Sequence, residues 1–285
     1  MRILILSVSA IALSGCSWLG LGNKTDYRNN NYQQNSGSYG YKTNKTRSSN
    51  GCHSGQCLAR WNIEAAVGPT FNVGGTAISG DEAHPGVAIN NISFSEAYNE
   101  GIRGEIGGSY ALSPNRKVTG NVFYEHADSE GVLDLGTVGI LNQQTLSGSL
   151  SDYQSYGAEI GLRQYFAPRR FGGIIGNIRP YVEGKIGATR LDDISLEGAT
   201  VGGTSALAPD IPFYRSGWVG SAAGLAGIET PIARHATIAL ESGLRYTQGP
   251  RTDTSVLAAG TPLAGINNGD GRLSIPLMLR GRYRF

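Results

Sequence analysis

Between Arg60 and Phe285, apolar and polar residues alternate with a period of two through eight stretches of about ten residues. That period marks a strand whose two faces meet different surroundings. The first stretch sets Trp61, Ile63, Ala65, Val67, Pro69 and Phe71 against Asn62, Glu64, Ala66, Gly68 and Thr70. The second sets Ile102, Ile106, Tyr110 and Leu112 against Arg103, Glu105 and Ser109; the third, near 118–126, sets Val118, Val122 and Tyr124 against Thr119, Asn121 and Glu125. Tyr156, Ala158, Ile160, Leu162 and Phe166 oppose Glu159 and Arg163 in the fourth, and Val182, Ile186 and Ala188 oppose Glu183 and Lys185 in the fifth. The sixth, near 217–230, is rich in small residues, and only Ile228 beside Glu229 gives its phase, with Glu229 on the polar side. In the seventh Ala236, Ile238, Leu240, Leu244 and Tyr246 face away from Thr237, Glu241 and Arg245; in the eighth Leu273, Ile275, Leu277, Leu279, Tyr283 and Phe285 face away from Ser274, Met278, Arg280, Arg282 and Arg284.

Strands this long exceed the usual five or six residues and match the roughly nine to eleven tilted residues that cross a bilayer. The connections near 72–100, 127–152, 191–216 and 248–271 are long, and those near 113–117, 167–178 and 231–234 are short. Long connections on one side and short turns on the other are the asymmetry of a membrane barrel. The pattern therefore predicts an all-β chain: an eight-stranded antiparallel up-and-down transmembrane β-barrel over 60–285. A soluble sandwich or lipocalin-type barrel is the alternative, with the apolar faces turned inward. No stretch of 18 uninterrupted apolar residues occurs, which excludes a helical membrane protein.

The last nine residues, from Leu277 to Phe285, alternate and end in Tyr283-Arg284-Phe285. This resembles the terminal signature of bacterial outer-membrane barrels, and the whole region resembles the eight-stranded OmpA-like and opacity-protein-like members of the porin superfamily. The resemblance implies an outer-membrane location, with Tyr283 and Phe285 as the signal read by the outer-membrane assembly machinery.

Charged residues make up only 16% of the chain, against about 25% in soluble domains. The polar strand faces hold seven acids, Glu64, Glu105, Glu125, Glu159, Glu183, Glu229 and Glu241. They also hold seven bases, Arg103, Arg163, Lys185, Arg245, Arg280, Arg282 and Arg284. A lipid-facing charge near the midplane costs about 2–4 kcal/mol, so these belong inside. Eight strands enclose a space that side chains just fill. The expectation is an interior of ion pairs rather than a wide pore, with some of the 42 glycines giving the long side chains room.

The other charges sort by side. The long connections carry Asp81, Glu82, Glu96, Glu100, Asp128, Glu130, Asp134, Asp152, Asp192, Asp193, Glu197, Asp210, Asp253 and Asp270, with Arg215 and Arg251 as bases. The short turns carry Arg116, Lys117, Arg169, Arg170, Arg179 and Arg234 and no acid. An anionic loop surface serves solubility, or meets divalent cations or a cationic partner. No loop has the spacing of a calcium-binding hand, and no metal site is assigned.

The amino end sets the compartment. Met1-Arg2 precedes an apolar run, Ile3 to Leu13, that is too short to span a membrane. Leu13-Ser14-Gly15-Cys16 follows and resembles the bacterial lipobox. The resemblance implies a lipoprotein signal peptide over 1–15, covalent lipid on Cys16 such as palmitate, and export to the outer membrane, permitted by Ser17. Residues 16–59 are rich in Asn, Ser, Tyr and Gly, with Lys24, Arg28, Lys42, Lys45 and Arg47 against Asp26, and are expected to form a disordered linker. Cys52 and Cys57 make an even pair in an exported chain and read as a disulfide; zinc with His53 is the competing reading and lacks nearby ligands.

One motif hints at catalysis. His126-Ala127-Asp128-Ser129-Glu130 faintly resembles the active region of outer-membrane lipid A deacylases, which implies His126 as base and Ser129 as nucleophile, although the family's closer His-x-Ser spacing is absent. There is no phosphate-cradling loop or nucleic-acid motif, and no cofactor is expected beyond the lipid on Cys16. The sequence thus points to a monomeric, lipid-anchored outer-membrane barrel of a Gram-negative cell, with its anchor in the periplasmic leaflet. It would act as an envelope-structural or adhesion protein, its long acidic loops meeting host or cell-surface ligands. A lipid A-modifying hydrolase and a narrow channel are the alternatives.

Overall fold

The computed structural model of the protein describes residues 61–80, 86–139, 144–170, 177–205, 210–253, 265–267 and 269–285. The signal segment 1–15 and the linker 16–59, with Cys16, Cys52 and Cys57, lie outside the described residues, as do Asp81 and Glu82.

Eight long strands carry the fold: β1 (Trp61–Gly74), β2 (Gly101–Ser113), β3 (Arg116–Ala127), β4 (Tyr153–Tyr165), β5 (Asn177–Leu191), β6 (Gly217–Pro231), β7 (Ala236–Thr247) and β8 (Arg272–Arg284). Each pairs antiparallel with the next, and β8 returns to β1 with Val67 opposite Leu279 and Glu64 opposite Arg282. The sheet is closed, so its strands present no unpaired edge. This is the predicted up-and-down antiparallel barrel.

The side chains are arranged inside out relative to a soluble protein. Ile63, Ile106, Ile160, Ile186 and Leu244 point outward and are each more than half exposed. Arg103, Arg163, Glu159 and Glu241 point inward and are almost wholly buried. That orientation rules out the soluble alternative. In β6 the small residues had hidden the phase; Val219, Ser221, Leu225 and Glu229 face in, and Trp218 and Ile228 face out.

Two aromatic bands border the apolar wall. Tyr124, Tyr156, Trp218 and Tyr246 lie toward the long connections, with Tyr156 edge-on to Trp218 at 6.4 Å. Trp61, Phe166, Tyr283 and Phe285 lie toward the short turns. Tyr156 and Phe166 are ten residues apart along one strand and its end. At about 3.4 Å per residue and a tilt near 40°, the bands stand about 25 Å apart, the height of the apolar belt of membrane barrels.

The long connections depart from expectation. They fold into a second structure, a cap, at one end of the barrel. Leu133–Val138, Gln144–Leu150, Ile194–Val201, Asp210–Arg215 and Arg251–Thr252 pair in that order, and Val87–Ile89 adds to the other edge. Thr76–Ile78 pairs with Ile92–Ser93, and one helical turn, Phe94–Ala97, follows. Its start is fixed by the Ser93 N–H, which donates to the Glu96 carboxylate at 2.8 Å. Phe94, Leu146, Leu196, Phe213 and Ile266, from all four long connections, join one buried apolar cluster. A small cavity of about 10 Å³ within it is lined by apolar side chains alone. Each segment offers only two or three alternating apolar residues, and most of its partners come from another connection. Read singly, such pieces look like loops.

Candidate functional site

The barrel interior gathers charges that the sequence scatters over two hundred residues. Toward the cap, Arg103 donates to Glu105 at 2.8 Å, Glu125 at 3.0 Å and Glu159 at 3.2 Å, and its guanidinium lies 3.6 Å from the centre of the Phe123 ring. Arg245 pairs with Glu159 and, at 3.4 Å, with Glu105. Further along, Lys185 meets Glu105 at 3.1 Å, and Arg280 bridges Glu105 and Glu241 at 2.7 Å each. Arg163 forks onto both oxygens of Glu64 at 2.8 and 2.9 Å and reaches Glu183 at 2.8 Å. Toward the short turns, Arg282 pairs with Glu229 and donates to the Tyr181 hydroxyl at 2.9 Å, and that hydroxyl donates to Glu241 at 2.8 Å. The forked arginine contacts are the strongest kind of hydrogen-bonded pair.

Alternation explains how these residues meet. Every second residue of a strand faces the lumen, and eight strands around a narrow axis bring those faces within reach of one another. Two inward cations escaped the sequence reading. Arg272 stands where the fourth long connection enters β8, and it binds Glu125 at 2.7 Å and stacks 4.3 Å over Tyr153. Lys117 follows the tight turn before β3, yet its side chain is buried and its ammonium lies 5.3 Å from the Tyr165 ring centre. Both stand at a strand end next to a connection, where the alternating stretch is short of its full length; the phase of Thr119 and Ser274 carried two residues further reaches them.

Arg284 corrects the reading in the opposite direction. It keeps the inward phase of β8, opposite Asn62, but it is exposed. The barrel ends there, and a side chain past the rim has no opposing wall to bury it. The interior therefore holds seven acids against Arg103, Arg163, Lys185, Arg245, Arg272, Arg280 and Arg282, with Lys117 near the short-turn rim.

Glycine makes the space. A Cβ at Gly227 would stand 2.4 Å from the Tyr181 ring, and one at Gly187 would stand 2.7 Å from the Glu159 side chain. Both separations are far inside contact distance, so these positions are open only to glycine.

His126 sits on the outer wall of β3 beside the aromatic band toward the long connections. Its Nε2 lies 2.9 Å from Asp128 Oδ1, and Ser129 Oγ accepts from the Gly131 N–H at 3.3 Å. Among the described residues no hydrogen bond joins His126 to Ser129, so the base and nucleophile of the deacylase-like reading are not brought together here. Instead His126, Asp128 and Asp152 offer three ligand atoms within 4.8 Å of one another. One imidazole and two carboxylates suit a divalent cation. The two carboxylates are exposed, and Asp152 already accepts the Ser129 N–H at 3.2 Å. The grouping spans 26 residues of chain and a strand pairing, which is why no spacing rule revealed it.

Tyr283 and Phe285 face outward on the band toward the short turns, with their rings 5.4 Å apart. Of the loop acids, Glu96, Glu100, Asp128, Glu130, Asp134, Asp152, Asp193, Glu197, Asp210 and Asp270 are exposed on the cap. Asp192 is half-buried, and Asp253 is buried beside Arg215.

No protein-family model matches the chain, and no curated protein matches it. Solved structures resemble it. Neisserial surface protein A is 11% identical over 79% of this chain and 97% of its own, with a TM-score of 0.41. The outer membrane protein OprG of Pseudomonas aeruginosa is 14% identical over 79% and 95%, with a TM-score of 0.38. Ail, the attachment invasion locus protein of Yersinia pestis, solved with a heparin analogue, is 12% identical over 79% and 99%, with a TM-score of 0.35.

Proposed function

We propose that this eight-stranded outer-membrane β-barrel is a lipid-anchored mount that presents a folded acidic cap to the outside of the cell as an envelope-structural or adhesive surface. The observation that carries the reading is the division of labour between the two ends. The barrel neutralises its inward charges within itself, and all four long connections join one sheet with one apolar core. Loops that only had to clear the membrane would need no shared core. A shared core holds exposed side chains in fixed positions, as an interaction surface requires.

In this reading the cap faces outward, and the short turns and both chain ends face the periplasm. Cys16 would then carry its lipid in the leaflet on the same side as Trp61, where β1 begins. The partner is host or cell-surface material.

Site-directed labelling tests the orientation. In a Cys52→Ser, Cys57→Ser background, Glu197→Cys should react with a membrane-impermeant maleimide on intact cells, and Arg234→Cys only after permeabilisation. The reverse pattern would overturn the orientation. Attachment of expressing cells to a host-cell monolayer and their resistance to detergent test the role. If both are unchanged on deletion of the protein, neither an adhesive nor an envelope-structural function stands.

A further inference from the structure

We infer that the short-turn rim of the barrel is a binding ring for anionic phospholipid headgroups, with arginine guanidiniums clamping lipid phosphates around its circumference. Arg116 leads into β3, Arg169 follows β4 and Arg234 lies in the turn between β6 and β7; all three are exposed. Arg179 is half-buried at the same rim, where it donates to the Asn115 side chain at 2.9 Å. Among the described residues of the turns at this end there is no acidic side chain. At the cap end the exposed charges beyond the other aromatic band are mainly acidic, with Arg215 and Arg251 as bases among them.

Three features select a lipid surface over a soluble anion. The first is continuity. Trp61, Phe166, Tyr283 and Phe285 form the aromatic band, and the arginines stand immediately beyond it. Aromatic side chains of membrane proteins lie at headgroup level, so the next residues outward meet phosphates. The second is distribution. The β2–β3 turn and the β6–β7 turn are four strands apart in a closed ring of eight, on opposite sides of the barrel. Guanidiniums so placed do not converge on one ion, but each faces a different headgroup of a surrounding leaflet. The third is chemistry. A guanidinium offers a planar fork of donors that matches two phosphate oxygens, and its weak hydration favours such contacts at an interface.

The inference rests on the proposed membrane mounting, from which it takes the leaflet. The opposite signs at the two ends would then also help to fix which way the barrel sits, because each end prefers its own charge environment.

The experiment uses the full-length protein in nanodiscs of palmitoyl-oleoyl phosphatidylcholine containing one-third phosphatidylglycerol. Native mass spectrometry reads the lipids that remain bound. The expected result is retention of phosphatidylglycerol over phosphatidylcholine. In the variant Arg116→Gln, Arg169→Gln, Arg234→Gln, that preference should fall by about five-fold per arginine replaced. Raising the salt should weaken it in the native chain. Equal retention of the two lipids by the native chain, or an undiminished preference in the variant, would overturn the inference. Loss of the preference on adding millimolar inorganic phosphate would also overturn it, since it would assign the ring to a soluble anion. A heat-dependent gel shift run on each sample separates the two readings. A shifted barrel without lipid preference removes this inference alone, whereas a chain that shows no shift and does not enter nanodiscs removes the membrane mounting with it. If the threefold variant does not fold, Arg169→Gln and Arg234→Gln singly must each lower the preference.

Discussion

Glu105 meets Arg103, Lys185, Arg245 and Arg280 at once, all of them buried. Removing one partner from a buried ionic network leaves the others without compensation in a poorly solvating interior. Glu105→Ala is therefore expected to destabilise the barrel by about 3–5 kcal/mol, read as a lower temperature for its gel-mobility transition. The glycines give a paired test. Gly227→Ala would push a methyl into the Tyr181 ring, with an expected cost of about 1–3 kcal/mol. At Gly224 a Cβ would meet nothing within 4 Å, so Gly224→Ala should change stability by less than about 0.5 kcal/mol. Equal effects at the two sites would show that glycine serves strand flexibility here and not interior space. Alternation in the sequence identified most of the residues in this network, but not which cation meets which acid. Glu64 and Arg163 are 99 residues apart, and only the curvature of the closed sheet makes them neighbours.

The cap is held by apolar contacts and by a few buried phenols. Burial pushes the Tyr98 hydroxyl well above its usual range, with the neighbouring phenols of Tyr153 and Tyr214 adding to the shift. Tyr214 is raised too, chiefly by burial, and its hydroxyl donates to the Ala77 carbonyl at 2.6 Å. A phenol that holds its proton more tightly when folded stabilises the fold fully below its unfolded value near 10. That contribution falls as pH rises from there, because the unfolded chain then ionises and the folded one does not. The cap should therefore loosen above about pH 10 while the barrel stays closed. Protease sensitivity at the cap, compared with the gel mobility of the barrel, reads the difference; loss of both at the same pH would show a single cooperative unit. The cap strands were not legible in the sequence for a physical reason. A short strand with two inward residues carries too little periodic signal, and its stability comes from partners in other connections.

For the molecule as a whole, the described inward charges are paired and buried, which argues against the open aqueous path of a diffusion pore. In planar bilayers the native protein is expected to show at most small, brief conductance, and large steady openings would contradict the filled interior. The lipid anchor proposed at the amino end has its own test. Cys16→Ala should abolish incorporation of radiolabelled palmitate while the barrel still gives its heat-dependent gel shift. Labelling that persists in the variant would overturn the lipid anchor.

The sequence by itself determined the strand count, the antiparallel order, the inside-out dressing of the wall and the opposite charges of the two ends. All of these follow from a period of two and from the lengths of connections, which are local properties. The tertiary structure alone decided the rest. It turned Arg284 out to solvent at the rim, joined His126, Asp128 and Asp152, and built one cap from four connections. Each of these depends on where a strand ends or on which distant segment lies opposite, and closure of the barrel sets both.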